Sequence, residues 1–101
     1  MDIFYYTKNY PSEEKYSLTD QLRRSSRSVV ANIAEGWEKR QYSQVLKRHL
    51  VDSLGSLEET KTWLKFSWSC GYLTQNKYEE FLSRCEDIGS KLWLLHKNWK
   101  G

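Results

Sequence analysis

One proline and five glycines in 101 residues leave little material for the many tight turns of an all-β fold, so the chain has to be built from few, long elements. No uninterrupted apolar run exceeds four residues, which excludes a membrane-spanning helix. The amino terminus lacks the basic start and apolar stretch of a signal peptide, which places the expected location in the cytoplasm. Of the two cysteines, Cys70 and Cys85, neither has a partner at a short metal-ligand spacing, and they read as reduced, buried thiols. The chain also lacks a glycine-rich phosphate loop, a nucleophile motif, an HExxH pair and a framed pair of carboxylates. Glu58 and Glu59 are adjacent and therefore point to different parts of a helix surface. No enzyme class is indicated, and no cofactor or metal is called for.

What the chain does have is bulk and charge. Aromatics make up 15% and charged residues 29%, with a net charge of +3, enough for one modest core in a single domain spanning residues 1–101. The charge is compatible with an anionic partner without requiring one.

Apolar periodicity predicts an all-α, antiparallel up-down bundle of three long helices preceded by a shortened first one. Residues Ile3 to Tyr6 read as the last turns of a helix that stops before Tyr10 and Pro11, since the residue preceding proline is pushed out of helical geometry. A second helix begins near Ser17, where Ser17 and Asp20 form an S-x-x-D capping pattern. Leu18, Leu22, Val29, Val30, Ile33 and Trp37 follow at helical spacing, and Gly36 loosens its end. After a basic loop, Glu38 to Tyr42, a third helix runs from about Ser43 to Cys70 with Leu46, Leu50, Leu54, Leu57, Leu64 and Trp68 on one face, and Gly71 stops it. The fourth starts at Thr74. Its apolar line of Tyr78, Phe81, Cys85, Ile88, Leu92, Leu95 and Trp99 alternates spacings of three and four, as in the seam of a left-handed bundle.

Folding the third and fourth helices about Tyr72 puts Gly55 across from Gly89, and folding the second and third about Arg40 brings Ser25 to the same level. A mid-helix glycine costs about 1 kcal/mol against alanine, so close backbone approach is expected there. The same geometry places His49 near His96, with Asp52 one turn away. A hydrogen-bonded pair of histidines suits that arrangement better than a metal site.

The run LTDQLRRSSRSVVANIAEG from Leu18 to Gly36, with GSLEE at Gly55 to Glu59 and GYL at Gly71 to Leu73, resembles the four-helix-bundle family encoded within intervening sequences of bacterial 23S ribosomal RNA genes. That family is in turn similar to the accessory variability proteins of diversity-generating retroelements, basic barrels that bind nucleic acid and a reverse transcriptase. The resemblance implies a homopentameric ring and no catalysis. The family pattern opens with a complete amphipathic helix, whereas here only residues 2 to 9 precede Tyr10. The missing turns would leave an apolar groove for a neighbouring subunit or another protein to cover.

Three groups of residues are candidates for function. Gln21, Ser25, Ser28, Asn32 and Glu35 recur at spacings of four and three as a polar stripe on the second helix. If buried, the stripe must hydrogen-bond to another helix or subunit and so set register; if exposed, it is a solvated face. Arg23, Arg24 and Arg27, then Lys39 and Arg40 between Trp37 and Tyr42, then Lys47 and Arg48, could grip phosphates while the aromatics stack on unpaired bases. The alternative is a solvated face partly neutralised by Asp20, Glu35 and Glu38. Trp63 and Trp93 lie off the main apolar lines and are expected at a subunit interface. Together these features predict a non-catalytic, homo-oligomeric nucleic-acid-binding accessory protein, with RNA or DNA as partner. The alternative is a protein-interaction or assembly module, for example a reverse-transcriptase accessory subunit.

Overall fold

A computed structural model describes residues 3–100. The first residues of the expected opening segment, Met1 and Asp2, lie outside that range. Four α-helices follow one another among the described residues: α1 (Ile3–Thr7), α2 (Leu18–Glu38), α3 (Ser43–Ser69) and α4 (Gln75–Asn98), with a 3-10 turn at Ser12–Glu14. The short links after α2 and α3 leave no room for a crossover, so α2, α3 and α4 run antiparallel in a rod of 45 × 24 × 17 Å.

The helix ends explain themselves chemically. At the end of α3, Gly71 takes φ +80°, the one positive φ among the described residues. Its N–H donates to the Trp68 carbonyl and that of Tyr72 to the Ser67 carbonyl, the paired closure that a left-handed residue makes possible. Thr74 then opens α4 by accepting from the Lys77 N–H. The start of α2 differs from expectation. Ser17 is the first flanking residue, but its hydroxyl donates to Glu14 Oε1 and Asp20 pairs with Arg24, so the S-x-x-D reciprocal cap is not made. Glu14 also accepts from Tyr72 Oη at 2.9 Å, which ties the 3-10 turn to the α3–α4 link, and the hydroxyls of Ser17, chiefly, and Tyr72 hold the Glu14 carboxyl below its usual range.

The core is continuous along the rod. At the α1 end, Leu18, Leu22, Leu57, Leu64, Phe81 and Cys85 are buried together, and at the other end Leu46, Leu50 and Leu92 are; Ile33 and Ile88 touch both groups. Burial pushes the Cys85 thiol up to about 11, so it stays protonated at neutral pH and is a poor nucleophile. Cys70, expected to be buried, is exposed, because it is the flanking residue where α3 turns outward.

Two seams of different chemistry join the helices. Between α3 and α4 the contact is leucine-rich. Between α2 and α3 a row of small and polar side chains runs beside the buried Leu18, Leu22 and Val29. Ser53 Oγ donates to the Val29 carbonyl at 2.8 Å, Thr60 Oγ1 donates to Ser25 Oγ at 2.9 Å, and Ser28 and Ser56 hydroxyls meet at 2.8 Å. The critical glycine is Gly36. A Cβ there would stand 2.8 Å from His49 Cβ, an atom fixed to its own backbone. Gly36 therefore does not loosen the end of α2, which continues through Trp37 to Glu38.

The expected glycine level is not formed. A Cβ on Gly55 would meet nothing within 4 Å, and one on Gly89 would meet only the end of Leu57, at 3.3 Å. Ser25 lies opposite Thr60, more than a turn past Gly55. The reason is side-chain direction. Each Cα–Cβ bond tilts toward its own helix N-terminus, so in an antiparallel pair the side chains that meet come from offset levels.

Candidate nucleic-acid interface

The polar stripe of α2 faces α3, where nearly all of it is engaged. Besides the Ser25–Thr60 and Ser28–Ser56 pairs, Asn32 Nδ2 donates to the Ser28 carbonyl and hydroxyl, which turns Asn32 Oδ1 toward His49 Nδ1 at 3.1 Å. The other ring nitrogen of His49 lies 3.3 Å from Glu35 Oε2. Gln21 lines a shallow depression with Ser28, Ser56 and Glu59. The stripe thus locks α2 to α3 in one register, and His49 is held on the α2 side. His96 is elsewhere, stacked on Trp93 with ring centroids 5.9 Å apart, so the expected approach of His49 and His96 is not seen. Among the described residues, no group of three or more His, Cys, Asp or Glu is arranged to hold a metal ion.

The seven basic candidates do not share one face. Arg23 is committed to the fold: its guanidinium lies over the Phe4 ring at 4.2 Å, and Nε donates to Thr7 Oγ1 at 2.7 Å, pinning α1 to α2. Tyr6 completes the docking of α1 by meeting Phe81 edge to face. Arg24 and Arg27 are exposed on α2, Arg24 within 3.8 Å of Asp20. Lys39 and Arg40 occupy the α2–α3 link, and Lys47 and Arg48 follow in the first turns of α3. Arg48 borders an open pocket of about 590 Å³ with Gln44, Val45, His49 and Asp52.

The antiparallel topology adds residues to the link end that the linear sequence keeps far away. Trp99, just past α4, meets Trp37 at 5.9 Å and 68°. Arg40 lies over the Trp37 ring at 4.6 Å and is held there because Nη1 donates to the Trp37 carbonyl at 2.9 Å. Glu38, Arg40, Gln41 and Trp99 border a pocket of about 420 Å³. The last turns of α4 and the residue after Trp99 carry Lys91, Lys97 and Lys100, with no acid from Ile88 onward. This end therefore gathers Lys39, Arg40, Lys47, Arg48, Lys91, Lys97 and Lys100 against Glu35, Glu38 and Asp52. The rest of the chain holds nine Lys and Arg against ten acids, so the whole positive excess resides here. The periodicity of each helix taken singly does not pair Trp37 with Trp99; the antiparallel direction of α4 does.

The two tryptophans expected at an interface differ. Trp93 is 56% exposed, with Leu94 beside it exposed as well, whereas Trp63 is half-buried against the core and its indole N–H donates to Glu59 Oε1 at 3.2 Å. Val30 is 66% exposed and Trp37 half-exposed, a departure from the apolar line expected of α2. No helix among the described residues is long and apolar enough to cross a membrane.

Residues 1–93 match the family model described as 23S rRNA-intervening sequence protein. Comparison with curated proteins gives no match.

Proposed function

The chain belongs to the 23S rRNA-intervening sequence protein family, and from that premise we propose that it is a non-catalytic accessory protein that binds nucleic acid through the basic link end of its bundle. The observation that carries the reading is the segregation of charge: seven cations stand against three acids at one end of the rod, and the remainder is almost balanced. Phosphate contacts by Lys and Arg release condensed counterions, so a local excess of this kind favours a polyanion and makes the affinity fall with salt. A helical surface without a base-reading module has little means of selecting sequence, so binding is expected to be broad. Repetition of the end around a homo-oligomeric ring, pentameric by resemblance, would raise the avidity further.

The experiment is fluorescence anisotropy with structured RNA, single-stranded DNA and duplex DNA at low and physiological salt. Reversing Lys39, Lys97 and Lys100 to glutamate should abolish binding and leave helix content unchanged. Reversing Arg24 and Arg27 should weaken it only partly. Arg23 is left intact because it anchors α1. Absence of binding at low salt would remove this reading.

A second reading, a protein-interaction or assembly module such as a reverse-transcriptase accessory subunit, is favoured by exposed Val51, Trp93 and Leu94. Light scattering coupled to gel filtration should show a closed oligomer that Trp93→Glu dissociates. A monomeric mass at micromolar concentration would argue against self-assembly through this surface.

A further inference from the structure

We infer that the link end is a single-strand platform, in which Arg40, lying over Trp37, stacks an unpaired base above the pocket that Glu38, Gln41 and Trp99 border. This inference rests on the nucleic-acid reading and names the ligand class at that same end. A guanidinium plane backed by an indole is a stacking surface for a nucleobase, because the flat cation and the ring quadrupole reinforce each other. The Arg40 Nη1 bond to the Trp37 carbonyl removes the freedom that such a side chain would otherwise lose on binding. The pocket of about 420 Å³ is large enough for one base.

Its polar lining divides the ligand. Gln41 offers an amide and Glu38 a carboxylate, which accepts from amino and imino groups on a base edge and repels a phosphate. The phosphates are therefore drawn to Lys39 and Lys100, which adjoin the pocket residues in sequence, and to Lys97, two residues before Trp99. Trp99 Nε1 is buried without a hydrogen-bond partner, one of two such side-chain atoms among the described residues. A donor in that condition beside an open pocket lacks an acceptor that a ligand oxygen or base nitrogen would supply after a small shift of the ring. In a duplex the bases are paired and stacked, so neither the Arg40 plane nor the Glu38 carboxylate can be used, and only the phosphate contacts remain.

The test compares an unstructured single-stranded RNA with the same strand annealed to its complement, at one low salt concentration, by fluorescence anisotropy. The parent protein should prefer the single strand by about tenfold, the usual worth of one stacked base. Arg40→Lys keeps the charge but removes the plane, and should erase the preference by bringing single-strand affinity down to the level of the duplex. Because Arg40 is exposed in a link, this variant keeps the fold, which helix content by circular dichroism confirms. Trp37→Ala should act the same way. Equal affinity for both forms, or an Arg40→Lys protein that retains the preference, overturns the platform while nucleic-acid binding stands. Failure of the parent to bind either form at low salt overturns both.

Discussion

The α2–α3 and α3–α4 seams solve the same packing problem with opposite chemistry. Along α3–α4, Leu57 and Leu64 share a buried cluster with Phe81 and Cys85, and Leu50 shares one with Leu92, side chains whose burial is apolar throughout. Along α2–α3, glycine, serines and a threonine let the two backbones approach, and directional hydrogen bonds fix which residues meet. An apolar seam tolerates sliding better than a polar one, because dispersion and hydrophobic burial are nearly non-directional. The polar seam therefore sets the level at which α3 stands against α2.

The contrast can be broken most strongly from the apolar side. Leu64 is fully buried, and Leu64→Ala should cost about 2 to 5 kcal/mol, read as a lowered denaturation midpoint. Gly36→Ala comes next. Its added methyl forces α2 away from His49, with an expected loss of about 1 to 3 kcal/mol despite alanine's better helix propensity. Ser53→Ala should cost less, about 1 kcal/mol, because the Val29 carbonyl it leaves keeps its helical environment. If Ser53→Ala matched Leu64→Ala, the division of labour between the seams would be wrong. Gly55→Ala has the opposite sign. Open space surrounds that position within α3, so the variant should gain about 1 kcal/mol.

The smallest effect lies outside both seams. The Glu14 carboxyl is held below its ordinary 4.5 chiefly by the Ser17 hydroxyl, and also by Tyr72. Its contribution is therefore present above that ordinary value and is lost as pH falls through the lowered one. Thermal midpoints of the parent should fall on acidification slightly more than those of Glu14→Gln, and identical profiles would show that the clasp adds nothing.

Much of this was legible in the chain. The four- and seven-residue spacing of Leu46, Leu50, Leu57 and Leu64 and of Phe81, Cys85 and Leu92 announces helices whose observed limits lie within a residue or two of those expected. The stripe from Gln21 to Glu35 could be recognised as polar, but the chain alone left open whether it was a paired face or a solvated one, and the bonds to Ser56, Thr60 and His49 are seen only in the fold. The glycines misled. Gly55 and Gly89 drew attention by sitting in helix interiors, yet Gly36 is the one pressed against a neighbouring helix, at the His49 Cβ. Arg23 misled too, since its proximity to Arg24 and Arg27 hid its role in holding Phe4 and Thr7.

What the sequence by itself determined is local: which segments are helical, where Gly71 and Thr74 stop and start them, and which residues are polar or apolar on each. These depend on interactions within about one helical turn. Only the tertiary structure decided that Ser25 meets Thr60, that Gly36 carries the close approach, and that Trp99 and the lysines around it join Trp37 and Arg40 at one charged end. Those pairings join residues far apart in the chain, and they follow from the tilt of side chains in antiparallel helices and the small volumes at the polar seam, quantities that no local spacing encodes.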